Sequence, residues 1–140
     1  MDEIKAVAYR KGFTETYFGR RRYHEGLKSP MQFIRAAAER MAINAPMHGT
    51  GADIIKIAMS RADAWIKKEG FEKEVFLLLQ VHDELVYEVK ANLVDKVAPK
   101  IKEIMETVLS RKDTDGVSML VDAKVGDSWG EMEKLVVSSE

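Results

Sequence analysis

Near the middle of the chain, Gln80-Val-His-Asp-Glu84 sets an imidazole and two carboxylates side by side between two apolar, β-rich runs, Val75 to Leu79 and Leu85 to Val89. Strands this close in sequence are ordinarily joined by Asn-Gly or Asp-Gly, whose residues tolerate positive φ, and neither dipeptide stands here. A carboxylate pair at the tip of a rigid hairpin suits a hard, oxygen-liganded cation such as Mg²⁺, which takes one or two carboxylates and leaves its other positions to water and substrate phosphates. The competing reading is a solvated turn, with the His82 imidazole satisfied by a backbone carbonyl. A metal-dependent phosphoesterase built on His82, Asp83 and Glu84 would need further ligands, and the remaining histidines, His24 and His48, have no metal-ligand spacing to them.

Two other groups of residues are chemically suggestive. Arg40, Asn44 and His48 recur every fourth residue, which puts them on one face of a regular helix, although Pro46 disturbs the last of them. Taken alone, such a row is a solvated helix face. Arg20-Arg-Arg22 forms a basic cluster beside Tyr17 and Tyr23, where a solvated hairpin tip is the ordinary reading. Trp65 and Trp129 read as packing aromatics, since no basic groove surrounds either of them.

The elements that position these groups follow from periodicity. Ile4, Val7 and Ala8 have helical spacing, and Gly12 stops that helix. Phe13 to Tyr23 reads as a small hairpin turning at Gly19-Arg20, with Gly at the first central position of a two-residue turn. Ser29-Pro30 opens a helix to about Asn44, and Pro46 predicts a break or kink before a second amphipathic helix, Ala52 to Lys68, which Gly70 closes. Leu93 to Leu109 forms another long helix, Val117 to Val125 is a third strand, and Gly126-Asp-Ser-Trp129 closes the core. The class is therefore α+β.

Composition bounds the alternatives. With 140 residues, 46% hydrophobic and 32% charged, the chain has material for one sizeable core and is too aliphatic to remain disordered. No apolar run approaches membrane-spanning length, no cleavable signal opens the sequence, and the absence of cysteine excludes disulfides and thiolate metal sites. The expected location is the cytoplasm. The net charge of -1 conceals a gradient: residues 1–40 hold nine Lys/Arg against five Asp/Glu, and the remainder thirteen against eighteen. One end suits phosphate and the other suits cations.

The string Gln80-Val-His-Asp-Glu84 followed by Leu-Val-Tyr-Glu-Val closely resembles motif C of family A DNA polymerases. So, in the family's order, do Gly12-Phe-Thr-Glu-Thr-Tyr-Phe-Gly-Arg-Arg-Arg-Tyr23, Arg35-Ala-Ala-Ala-Glu-Arg40, Ile43-Asn-Ala-Pro-Met-His-Gly-Thr50 followed by Ala52-Asp-Ile-Ile-Lys56, and Gly126-Asp-Ser-Trp129. The resemblance spans roughly residues 5–135, and several strings in register are far more specific than one motif. It implies an antiparallel palm-type sheet with a central catalytic hairpin, packed against several long helices. Residues 1–28 would be a fingers-side helix and basic hairpin, and residues 29–140 the palm portion with the motif C hairpin near 75–89.

By the same resemblance, Asp83 is one of the carboxylates holding two Mg²⁺ ions for nucleotidyl transfer, with Mn²⁺ as a substitute, and Glu84 is auxiliary to it. His82 lies beside the primer terminus and Gln80 near the duplex minor groove. Arg40, Asn44 and His48 face the template and the terminal base pair, where minor-groove acceptors common to all pairs let donors test shape without reading sequence. The family usually has glutamine at the position of His48. The arginine cluster would lie between fingers and palm, in ion pairs at least as often as on DNA phosphates.

The implied partners are primer-template DNA and dNTP, in replication or repair. Two carboxylates do not balance two Mg²⁺ ions, and the family's other aspartate belongs to an Asp-Tyr-Ser segment that these 140 residues lack, as they lack the nucleotide-binding helix. The expectation is a C-terminal portion of a polymerase domain that does not polymerise alone and exposes the apolar face that met that segment, a surface open to homodimerisation. The alternative is a standalone, non-catalytic duplex-binding module.

Overall fold

The computed structural model describes residues 2–135. It divides into two compact units, residues 1–53 and 54–140, each considered by itself.

The first unit opens with helix α1 (Asp2–Lys11). Gly12, at φ 79°, donates its N–H to the Ala8 carbonyl (2.8 Å) and ends the helix in a conformation that costs glycine little. Strands β1 (Phe13–Glu15) and β2 (Arg21–Tyr23) pair antiparallel, from Phe13 opposite Tyr23 to Glu15 opposite Arg21. The predicted hairpin is present, but its turn differs. Thr16 N–H bonds to the Arg20 carbonyl (2.9 Å) and Gly19 N–H to the Thr16 carbonyl (3.0 Å), so the loop is the three residues Tyr17-Phe18-Gly19, with Gly19 last at φ 82°. Three-residue hairpin loops need the left-handed residue at their end, which is the place this glycine fills.

Helix α2 (Gln32–Glu69) follows a short 3₁₀ turn and begins two residues after Pro30. It continues without a break through Pro46, where a break or kink is the sequence expectation. Proline removes a single N–H, and burial of Ala42 and Ala45 beside it favours the helical course over that local loss. The core of this unit is three alanines, Ala8, Ala38 and Ala42, packed with Leu27. Lys5 Nζ (3.1 Å) and Tyr9 Oη (2.7 Å) both donate to the Glu39 carboxylate, tying α1 to α2.

In the second unit, strands β3 (Val75–Val81) and β4 (Glu84–Val89) form the longest hairpin. Helix α3 (Val94–Glu106) buries Val97, Ile101 and Ile104. Ile66, Val75, Val97 and Ile101 form the core, joined at its edge by Trp65, Phe71, Tyr87 and Leu93. The third predicted strand is reduced to β5 (Lys124–Val125), paired with β6 (Glu133–Lys134) rather than with the long hairpin. Residues 117–123 are not in strand, and Val117 and Leu120 are largely exposed. Their apolar side chains favour a strand, but among the described residues of this unit no partner strand pairs with them. Trp129 is likewise 55% exposed and closes no core, whereas Trp65 packs edge-on against Phe71 with centroids 5.9 Å apart. Among the described residues, helices with three antiparallel two-stranded sheets make the structure α+β. Among the described residues, no helix is long and apolar enough to cross a membrane.

Candidate functional site

The β3–β4 hairpin aligns Val75 with Val89 through Leu77 with Tyr87, then Leu79 with Val86 through Val81 with Glu84. Leu78 is therefore an extra residue. Such a bulge bends and twists the strand that carries it, and bulges re-aim the side chains beyond them. Beyond this one, β3 carries Gln80 into the turn.

His82 and Asp83 form the turn, and His82 sits at φ 53°. A side chain at positive φ is strained, by roughly 1–2 kcal/mol against glycine-like freedom, and the residues that tolerate it best besides Gly are Asn, Asp and His. The Gln80 side-chain amide donates to the His82 carbonyl (3.0 Å), so one conformation-bearing contact holds the strained residue from the preceding strand. Among the described residues no hydrogen bond reaches the His82 ring, so the backbone-satisfied imidazole is not what the structure has.

Gln80, His82, Asp83 and Glu84 are all exposed. Neither carboxylate has a Lys, Arg or His partner among the described residues, whereas other acids of this unit do: Glu74 pairs with Lys90, Asp63 with Lys67 (2.8 Å) and Glu69 with Lys96 (2.7 Å). Among the described residues no group of three or more His, Cys, Asp or Glu gathers in a metal-binding cluster. The donor set is thus two adjacent, uncompensated carboxylates on a strained tip. That fits a Mg²⁺-like ion which takes one or two carboxylates and fills its sphere with water and phosphate, and it does not fit a cation requiring an all-protein cage.

Tyr87, across from Leu77, is the titratable group this unit perturbs most. Burial, then the Asp63 charge, pushes its phenol up to about 12. It remains a neutral packing residue at any ordinary pH.

In the first unit, Arg40, Asn44 and His48 are exposed on continuous helix, each step rotating by about 40° and the row spanning about 12 Å. Arg40 borders a shallow groove of about 500 Å³ with Gln32, Phe33 and Ala36. His48 lines a cavity of about 210 Å³ with residues of the β1–β2 hairpin. The three arginines of that hairpin have separate fates. Arg20 Nε donates to Asp53 Oδ1 (2.7 Å) and its guanidinium also to the Gly49 carbonyl (3.0 Å), whereas Arg21 Nε donates to Glu15 Oε1 (2.8 Å). Arg22 has no carboxylate within ion-pair distance among the described residues, and its recorded contact is the Met41 thioether at 3.8 Å.

Asp53, 33 residues from Arg20, and Gly49 were not read as functional from sequence. The only available signal was Ala-Asp-Ile-Ile-Lys56 as a string, which does not disclose its partner. His24, buried and hydrogen-bonded through Nε2 to Thr14 Oγ1 (2.9 Å), is held below the usual imidazole range by burial and then by the Arg22 charge.

The family model described as DNA polymerase family A matches residues 1–131. The chain belongs to DNA polymerase family A. Among its family A relatives, it is 46% identical over 131 residues to DNA polymerase I of Pseudomonas aeruginosa, covering 94% of this chain and 14% of that protein. It is 41% identical over 120 residues to the thermostable DNA polymerase I of Thermus aquaticus, covering 86% and 14%. A similar solved structure is the POL domain of Pol1 from M. smegmatis, described as a complex with DNA primer-template and dNTP. The TM-score is 0.74 at 40% identity, over 78% of this chain and 19% of that one. The chain thus spans about a seventh of the length of the curated family A relatives it matches.

Proposed function

We propose that this family A segment serves a template-directed DNA polymerase, presenting a metal-holding carboxylate hairpin and a row of duplex-facing donors for nucleotidyl transfer to a primer 3′-hydroxyl. The observation that carries the reading is the pair Asp83 and Glu84, exposed and uncompensated at the strained tip of a bulged hairpin. Asp83 would hold Mg²⁺, or Mn²⁺ in its place, with Glu84 auxiliary. When bound, such ions supply a lowered pKa at the attacking hydroxyl and charge compensation for the triphosphate and leaving pyrophosphate.

The chain's own residues do the positioning. The bulge at Leu78 and the Gln80 amide fix where the tip points, and His82 stands next to the carboxylates, facing the primer end. Arg40, Asn44 and His48 offer donors along about 12 Å, some three or four base steps at roughly 3.4 Å each, in a groove whose acceptors are shared by all base pairs. Residues 1–28 would contribute to the fingers side and residues 29–140 to the palm, in a cytoplasmic enzyme of DNA replication or repair. Primer-template and dNTP are the partners.

The 140 residues by themselves hold two of the acids such chemistry uses and do not extend a primer in this reading. The test is a chimera in which residues 1–131 replace the matching segment of the Pseudomonas aeruginosa polymerase. The chimera should extend a primer, and the same chimera carrying Asp83→Ala should lose activity by at least about 10³-fold, a loss of roughly 4 kcal/mol in transition-state stabilisation. Retention of activity without the Asp83 carboxylate, or template-dependent incorporation by the 140-residue chain alone, would overturn the reading.

A further inference from the structure

Three consecutive arginines with equal charge end in three different environments, and among the described residues the third has no carboxylate to balance it. Arg20 is committed to Asp53 and the Gly49 carbonyl, and Arg21 to Glu15 and the Phe13 ring, 4.6 Å from its guanidinium. Among the described residues Arg22 has only the Met41 sulfur at 3.8 Å, and a thioether is a weak acceptor. Yet Arg22 lines a cavity of about 210 Å³, together with Arg20, Thr16, Glu15, His48 and Gly49.

The lining chooses the ligand. Two guanidinium groups repel a cation, and the single carboxylate, Glu15, already accepts from Arg21. Thr16 Oγ1 accepts the Arg20 backbone N–H (3.1 Å), which leaves its own O–H to donate elsewhere. A cavity several times the roughly 30 Å³ that a water occupies takes a phosphate group with its first waters. Arg22 and His48 are exposed, so the cavity opens to solvent, and His48 is the last member of the row Arg40, Asn44, His48. A ligand in it would be continuous with whatever lies along that helix face.

We propose that Arg22, with the Thr16 hydroxyl and His48, seats a backbone phosphodiester of bound nucleic acid between the β1–β2 hairpin and α2. The inference rests on the duplex-binding reading above. Arg22 supplies the uncommitted charge, Thr16 and the imidazole supply single hydrogen bonds, and Arg20 remains a structural cation locked to Asp53. Such a contact positions the duplex without reading its sequence.

A charge-matched pair of variants tests this in the 140-residue chain. Arg22→Gln and Arg10→Gln each remove one exposed guanidinium charge from the first unit, but only Arg22 lines the cavity, and Arg10 holds none of the side chains that line it. Binding of a short fluorescein-labelled DNA duplex, followed by anisotropy over a salt series, should weaken about tenfold for Arg22→Gln, with the log–log salt slope reduced by about 0.9, the loss of one phosphate contact. Arg10→Gln should stay within about twofold of the unsubstituted chain, and circular dichroism should show both variants folded. Equal weakening in both variants, or unweakened binding by Arg22→Gln, would overturn the proposal while leaving the duplex-binding reading intact. In parallel, inorganic phosphate should shift the Arg22 side-chain and Gly49 amide NMR signals saturably. That shift without any duplex binding overturns the backbone assignment and the duplex-binding reading together, keeping only an anion seat, and no shift with no duplex binding overturns all three.

Discussion

Gly49→Ala sets helix propensity against packing in a way the structure makes quantitative. In an unencumbered helix interior, replacing glycine by alanine stabilises by about 1 kcal/mol. At Gly49 the added Cβ would stand 2.6 Å from Thr16 Cγ2, closer than two carbons approach without something moving. Thr16 is poorly placed to yield. It is buried, β-branched and stiff about χ1, and its Oγ1 holds the Arg20 backbone N–H at 3.1 Å, so rotating the methyl away breaks that bond.

Overpacking of this kind costs about 1–3 kcal/mol, so the net effect is a destabilisation of about 0–2 kcal/mol where an unhindered helix would gain about 1. Thr16→Ser keeps the hydroxyl and deletes the offending methyl. In that background Gly49→Ala should therefore recover its ordinary stabilising value, giving a coupling of about 1–3 kcal/mol between the two positions. Urea denaturation followed by circular dichroism at 222 nm on the four members of the cycle measures it. If Gly49→Ala stabilises by about 1 kcal/mol with Thr16 intact, the hairpin moves off the helix at no cost and the packing argument fails.

His24 gives a pH dependence with a definite sign. Its folded pKa lies below the unfolded value near 6.5, so the unfolded chain binds the extra proton first: stability is full above about pH 6.5 and declines as the pH falls through the folded pKa. His24→Gln should flatten that part of the curve, and an unchanged slope would assign it to other groups. His82→Gly should raise stability by up to about 1 kcal/mol in urea melts, because relief of a strained φ exceeds the entropy added to the unfolded chain, while removing a site residue. A destabilised variant would mean that the imidazole makes a contact worth more than the strain. The exposed stretch Phe76, Leu77, Leu78 and Leu79 on a strand with an unpaired edge should make the 140-residue chain self-associate. Sedimentation velocity should show a concentration-dependent shift that Leu78→Lys reduces, and a concentration-independent monomer would contradict it.

Much of the site was legible because its signals are local. An imidazole and two acids between β-rich runs place a hairpin turn at His82-Asp83, and the structure has the turn there, with His82 at positive φ. Helical period located α1 and α3, and two short apolar, β-rich runs located the β3–β4 pair. Such local signals misplaced what depends on neighbours outside the window. Residues 117–123 have strand-like side chains but, among the described residues, no partner strand, and Trp129 is an aromatic left about half exposed. At Pro46 the local rule predicts a break or a kink, and the helix runs through without the break, with Ala42 and Ala45 buried beside it.

The amino-acid sequence by itself determined which side chains are available and in what local order: the carboxylate pair, the donors every fourth residue, the run of three arginines. Only the tertiary structure decided which of them remain free to act. Arg20 is tied to an aspartate 33 positions away and Arg21 to Glu15, six away across the hairpin, while Arg22 faces a cavity. The physical reason is that spacing along a helix or strand fixes which residues share a face, but an ion pair depends on which distant segment is brought against that face.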